Sequence, residues 1–262
     1  MKAKKQLGQH FLKSESALKK ISEAGEIKET DTILEIGPGT GILTEPLLTH
    51  AGKVIAIEKD RELIPLLEEK FAKEIKGGKL ILLQEDILKF DPALLRSEIK
   101  SYKLIANIPY YITGAIIEKF LSSSHQPERM VLLIQKEVAD RIVAKDGKES
   151  VLSIAVKAYG APHIVAKVPA GSFNPPPKVD SAILSVGNIS RNFFSDCNEA
   201  LFFTIVKGVF GKKRKQIGGT LSEILGNKER ALNALAETGI DAKERPEDIS
   251  LQTWKKLVQY LQ

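Results

Sequence analysis

The chain has 262 residues, enough for one large α/β unit with a small appendage. Its 39 Lys and Arg against 33 Asp and Glu leave a formal charge of +6, which suits a polyanionic partner but, as scattered surface charge, does not by itself demand one. The lone cysteine, Cys197, excludes an internal disulfide framework and a cysteine-rich metal site, and no apolar run reaches the length of about eighteen residues that a membrane span needs.

The leader, residues 1–10, is basic and lacks the apolar stretch of a secretory signal, so a soluble, cytoplasmic chain is expected. Residues 14–24 read as a short helix with Ser14 as N-cap and Gly25 at its end. The period then changes. Short apolar runs at 32–36, 54–57, 80–83, 104–106 and 130–134 alternate with segments of helical spacing such as 60–75, which predicts an α/β fold, a parallel sheet wrapped by helices. Two further strand-like stretches, 163–168 and 182–186, flank a loop whose Pro175, Pro176 and Pro177 cannot sit inside a sheet or helix, and they read as a terminal hairpin closing the sheet. After Asn192 strand signals stop, and amphipathic runs near 198–210, 228–238 and 250–261 predict a small all-helical domain. The expected division is 1–188 and 189–262.

The first strand runs into Glu35-Ile36-Gly37-Pro38-Gly39-Thr40-Gly41, a glycine-rich turn at the carboxyl edge of the sheet, where doubly wound folds bind their ligands. The second strand ends in Glu58, suited to accept from the ribose hydroxyls of a nucleoside-like cofactor. The third ends in Glu85-Asp86, where a carboxylate can accept from an adenine amino group. Alone, the turn is compatible with a dinucleotide and an oxidoreductase, whose fingerprint is G-x-G-x-x-G, and each acid with an ordinary surface carboxylate. The G-x-G-x-G spacing behind an acid instead resembles the first motif of class I methyltransferases, which implies a Rossmann-like sheet.

The fourth strand ends in Asn107-Ile108-Pro109-Tyr110. The exocyclic nitrogen of adenine is a poor nucleophile because its lone pair is delocalised into the ring. The Asn107 side-chain carbonyl and the Ile108 backbone carbonyl can each accept one of its hydrogens and draw the nitrogen towards tetrahedral geometry. Pro109 stiffens the turn, and Tyr110 offers a face on which an extruded base can stack. A plain strand-to-turn corner would use similar residue types.

These four residues, the leader Leu7-Gly8-Gln9-His10-Phe11-Leu12, the segment Gln135-Lys136-Glu137-Val138-Ala139, and Phe173-Asn174-Pro175-Pro176-Pro177-Lys178-Val179-Asp180-Ser181-Ala182 together resemble the ribosomal RNA adenine N6-dimethyltransferases over nearly the whole chain. The likeness is greatest to the small-subunit members. It implies S-adenosyl-L-methionine as cofactor and S-adenosyl-L-homocysteine as product, contacts from His10, Leu12, Gly37, Glu58, Asp86 and Asn107, with Gln9 and Gly39 in the same pocket, and Tyr110 and Phe173 sandwiching the target adenine. It further implies dimethylation of two adjacent adenosines near the 3′ end of 16S rRNA in an immature small subunit, by direct transfer without a metal, by a monomeric protein. His50, His125 and His163 are isolated and read as structural.

Basic residues Lys2, Lys4, Lys5, Lys13, Lys19 and Lys20 surround the leader motif, and a second run, Lys207 with Lys212-Lys213-Arg214-Lys215, has no intervening acid. Either run can contact phosphate or simply decorate a solvated helix. Beyond the second run, Ile217-Gly218-Gly219-Thr220 departs from the family's pattern, and its paired glycines weaken a helix there. The rival readings are a large-subunit rRNA adenine methylase of the macrolide-resistance type and a non-catalytic RNA-binding assembly factor.

Overall fold

The computed structural model describes residues 4, 7–97, 99–212 and 215–262. In chain order the elements are β1 (Phe11–Leu12), α1 (Glu15–Ala24), β2 (Thr32–Ile36), α2 (Thr44–His50), β3 (Lys53–Glu58), α3 (Ile64–Lys70), α4 (Ala72–Lys76), β4 (Leu80–Gln84), β5 (Lys103–Asn107), α5 (Thr113–Leu121), β6 (Arg129–Gln135), α6 (Lys136–Val143), α7 (Val151–Tyr159), β7 (Ala161–Val168), β8 (Phe173–Asn174), β9 (Ser181–Gly187), α8 (Glu199–Phe210), α9 (Ile217–Leu225), α10 (Lys228–Glu237) and α11 (Leu251–Leu261). Two compact units result: Met1–Ala139 with Ala161–Ile189, and Asp140–Gly160 with Ser190–Gln262.

The first unit holds a seven-stranded sheet of order β4-β3-β2-β5-β6-β9-β7. The five apolar runs form its parallel part, β4 to β6. Ile33 and Leu34, on opposite faces of β2, are both fully buried, as a strand covered on both sides requires. From β2 the chain proceeds to β3 on one side and later to β5 on the other, so the switch point lies beside β2 and a crevice opens at the carboxyl ends of β2 and β5.

The two late strands pair antiparallel, as predicted, but not as a hairpin hung on the edge. β9 inserts between β6 and β7. Its residues are buried throughout, so it takes the inner place; β7 has exposed positions and carries Pro162, which an edge strand tolerates. A separate two-residue pairing, Phe11 with Asn174 and Leu12 with Phe173, ties the leader to the proline-rich loop.

Residues 60–75 form two helices rather than one. The break falls at Phe71 (φ −113°, ψ 28°), whose buried ring lies under Gly41: a Cβ on that glycine, at φ +76°, would stand 2.5 Å from Phe71 Cε2. Packing of the ring against the glycine turn overrides the continuous helical period.

In the second unit Phe202, Ile205, Val206 and Val209 of α8, Leu221 of α9, and Trp254, Leu257 and Val258 of α11 share one apolar cluster with Ile154 and Ala158 of α7. The sequence division at 188/189 left α7 with the first unit; its buried side chains belong to the second. Asn198, Asn227 and Ser250 cap α8, α10 and α11, accepting from Leu201, Arg230 and Thr253 backbone N–H groups. The paired glycines do not prevent a helix, since α9 starts at Ile217. Gly218 packs so closely on Ala242 that a Cβ would fall 2.8 Å from the Ala242 Cβ, so the contact offsets the glycine's entropic penalty. Cys197 is part of this core. Among the described residues no helix is long and apolar enough to cross a membrane.

Candidate active site

One cleft in the first unit gathers Gln9, His10 and Leu12 of the leader, Gly37 and Gly39 of the glycine turn, Glu58 and Asp86 at the ends of β3 and β4, and Asn107, Ile108, Pro109 and Tyr110 at the end of β5. Residues far apart in sequence meet because each parallel strand delivers its carboxyl end to the same edge. Phe173 is the exception. It sits in β8, paired with Leu12, with its ring 2% exposed in the apolar cluster that also holds Leu12, and it does not line the cleft. It ties the leader to the apolar core through that pairing.

Gly37 has φ +66°, and a Cβ built on it would meet nothing within 4 Å. Bare backbone therefore faces open cleft, the arrangement a ligand needs for close approach. Gly39 donates its N–H to Glu58 Oε2 at 3.1 Å, and Asp60 donates to Oε1 at 2.8 Å. Each Glu58 oxygen is thus fixed by the backbone. Burial raises its pKa, and the backbone N–H groups of Asp60 and Gly39 oppose that rise. Asp86 is set differently: Lys59 Nζ lies 2.9 Å from one oxygen, holding the carboxyl below its usual range, and Leu88 N–H donates to the other at 3.0 Å.

Asn107 Nδ2 donates to the His10 carbonyl at 3.2 Å. A carbonyl only accepts, so this bond orients the amide with its nitrogen on the leader and leaves Oδ1 as the acceptor turned elsewhere. The His10 ring is held by Nδ1 donating to the Pro175 carbonyl at 2.8 Å and stacks on Tyr110, with centroids 6.0 Å apart and planes 19° apart. The Tyr110 hydroxyl bonds the buried Ser181 hydroxyl at 2.6 Å. Ile108 lies one residue beyond the β5 ladder, so its carbonyl is outside the sheet's pairing.

Two acids escaped the sequence assignments. Asp60, 6% exposed, anchors the leader by accepting from Gln9 Nε2 at 3.0 Å and Lys4 Nζ at 2.7 Å. Burial acts to raise its pKa, but the Lys4 and Gln9 bonds outweigh it and hold the carboxyl low. Glu35 precedes the glycine turn, is 1% exposed, lines the cleft, and has no hydrogen-bond partner on either oxygen. Burial pushes its pKa up to about 8; the nearby Thr44 hydroxyl favours the charged form without being aligned as a hydrogen bond, and the Glu58 charge disfavours it. An unpartnered buried carboxylate beside bare backbone fits a ligand that brings positive charge, as the ammonium and sulfonium of S-adenosylmethionine do.

The second basic run is partly neutralised. Lys212 pairs with Glu223 of α9, and Lys215 reaches the same carboxylate at 3.1 Å. Lys207 lies 6.0 Å from the Phe203 ring centroid. Lys213 and Arg214, like Lys2 and Lys5, lie outside the described residues. Of the histidines, His125 is 8% exposed against Tyr102, whose hydroxyl donates to the His125 carbonyl at 2.9 Å.

A seven-stranded sheet of this order, with a glycine turn and acidic strand ends converging on one cleft, is the class I methyltransferase fold. Ribosomal RNA adenine dimethylase is the family description matching residues 1–262, and the chain belongs to that family. Ribosomal RNA small subunit methyltransferase A of Dehalococcoides mccartyi is 45% identical over 98% of this chain and 88% of its own length. The protein of the same name from Clostridium botulinum is 40% identical over 98% and 93%. Among solved structures, a dimethyladenosine transferase from Plasmodium falciparum superposes with a TM-score of 0.80 at 29% identity, covering 95% of this chain and 96% of that one. The 23S rRNA methyltransferase ErmE gives 0.75 at 26%, covering 96% and 99%.

Proposed function

We propose that this chain dimethylates N6 of two adjacent adenosines near the 3′ end of 16S rRNA, using S-adenosylmethionine and releasing S-adenosylhomocysteine, as a monomer acting on an immature small subunit in the cytoplasm. The relatives that carry the small-subunit name are 45% and 40% identical, against 26% for the 23S enzyme. The observation that carries the chemistry is that Asn107 to Tyr110 open into the same cleft as Gly37, Glu58 and Asp86.

S-adenosylmethionine, when bound, supplies an electrophilic methyl on a sulfonium. Glu58 would hold its ribose hydroxyls, Asp86 its adenine amino group, and Glu35 its positive charge. Gln9, His10 and Leu12 close the cleft from the leader side. Asn107 Oδ1 and the Ile108 carbonyl accept the two hydrogens of the target amine, which localises its lone pair towards the methyl. Tyr110, already held by Ser181 and His10, receives the face of the base. The displaced proton leaves to water once the new C–N bond has formed. The second unit, with Lys207 and Lys212 to Lys215, is read as the surface that meets RNA phosphates.

Incubation with methyl-labelled S-adenosylmethionine and unmethylated ribosomal subunits tests this reading. Label in small-subunit RNA is expected; label in large-subunit RNA alone supports the macrolide-resistance type, and no label in either with intact cofactor binding supports a non-catalytic assembly factor.

A further inference from the structure

Two neighbouring tyrosines at the end of β5 point to different places. Tyr110 is half-buried and tied to Ser181 and His10, whereas Tyr111 is 64% exposed at the rim of the same cleft. A single exposed ring is ordinary on a protein surface; what distinguishes Tyr111 is its place at the mouth of the cleft and the support beneath it. A Cβ on Gly8, at φ +62°, would stand 3.3 Å from Tyr111 Cε1, so the leader backbone at that glycine lies against the ring edge. Leu88, 41% exposed, lines the same cleft, as does Lys59, whose ammonium is paired with Asp86 at 2.9 Å.

An exposed aromatic ring beside an aliphatic side chain at the mouth of a nucleoside-sized cleft is the kind of surface on which single-stranded nucleic acid stacks a base. The rim is continuous with the cleft that takes the target adenine. A base drawn into that cleft leaves its chain neighbour at the mouth. We propose that Tyr111 is the stacking platform for the nucleotide adjacent to the target adenosine, and so a positioning residue that holds the strand while its neighbour occupies the cleft. This rests on the adenosine-methylating reading above. Stacking on a ring is indifferent to the identity of the neighbouring base, so one platform serves whichever adenosine is in the cleft.

The test compares Tyr111→Ala, Tyr111→Phe and Tyr111→Leu in the full chain. Kd for S-adenosylhomocysteine and the melting temperature report the cofactor site and the fold, and KM and kcat for unmethylated small subunits report substrate placement. A short single-stranded RNA carrying 2-aminopurine beside the target adenosine reports stacking directly, through quenching that requires no methyl transfer. The expected result is a KM raised about 5- to 150-fold by Ala, in the range of one lost base stack, with quenching lost, cofactor affinity unchanged and both restored by Phe. Leu, apolar but without a ring face, should resemble Ala. Equal behaviour of Leu and Phe, or an unchanged KM in Ala, would overturn the proposal. So would a loss of S-adenosylhomocysteine binding in Ala, which would make Tyr111 a support of the cofactor site. A raised KM for whole subunits with undiminished quenching of the short RNA would also overturn it, by pointing to a ribosomal protein at the rim. Wild-type quenching without any methyl transfer would fail the adenosine-methylating reading while leaving the platform standing.

Discussion

Asn107 Nδ2 donates to the carbonyl of His10, so one side chain joins the end of β5 to the leader that closes the cleft. The amide nitrogen is committed to a structural bond, and in the proposed mechanism the oxygen is the acceptor for the substrate amine. Asn107→Ala removes both functions, and kcat is expected to fall about 10²- to 10³-fold, the usual cost of one lost acceptor or donor at a developing charge. Asn107→Asp keeps an acceptor but sets a carboxylate oxygen against the His10 carbonyl. It should loosen the leader and weaken cofactor binding more than Ala does, which titration with S-adenosylhomocysteine would measure.

Glu35 makes two separate pH predictions. Its folded pKa, about 8, lies above the ordinary 4.5, so the folded protein holds this proton more tightly than the unfolded chain. Its contribution to stability is therefore complete below about 4.5 and is lost as pH climbs towards 8. Glu35→Gln should match the parent near pH 4.5 and exceed it at pH 9 by on the order of a few kcal/mol, read as the difference in chemical denaturation. Cofactor binding should move the opposite way. Parent affinity for S-adenosylmethionine rises with pH as the carboxylate ionises to meet the cation, while the Gln variant stays flat; a parallel rise in both would remove Glu35 from cofactor binding.

The glycine turn separates stability from ligand access. Gly41→Ala forces a methyl into the Phe71 ring at a positive φ and should cost roughly 1–3 kcal/mol of stability or more. Gly37→Ala meets no protein atom, so it bears only the backbone strain, roughly 1 kcal/mol, while its methyl occupies ligand space. The expected pattern is a lower melting temperature for the first and a weaker cofactor Kd for the second.

Glu223 holds both Lys212 and Lys215. Exposed pairs of this kind stabilise little, so Glu223→Gln should leave the fold intact while freeing two cations. RNA affinity at low salt should increase and the slope of log affinity against log salt should steepen by roughly one to two charges. No change in slope would place RNA binding elsewhere.

Much of the site was legible because its signals are local. The apolar runs mark the five parallel strands, and a parallel sheet sends strand ends to one edge, which brings Gly37, Glu58, Asp86 and Asn107 to one cleft. What was illegible depends on contacts between distant segments. The β1–β8 pairing is two residues long on each strand and has no period to detect. The family resemblance implies that Phe173 meets the target adenine, whereas in the structure it is 2% exposed in the core beside the strand pairing with Leu12. The absence of an acid between Lys207 and Lys215 suggested free charge, yet Glu223 approaches from the next helix. The break at Phe71 and the helix through Gly218 both follow from a single close contact with another element.

The central claim is that cofactor and target amine meet in one cleft with Asn107 between them. The most direct measurement is the affinity of a bisubstrate compound in which adenosine N6 is tethered to the position of the transferred methyl on the cofactor. The account predicts binding about 10²-fold or more tighter than S-adenosylhomocysteine, with that advantage lost in Asn107→Ala. A bisubstrate bound no more tightly than S-adenosylhomocysteine, or one indifferent to Asn107, would contradict it.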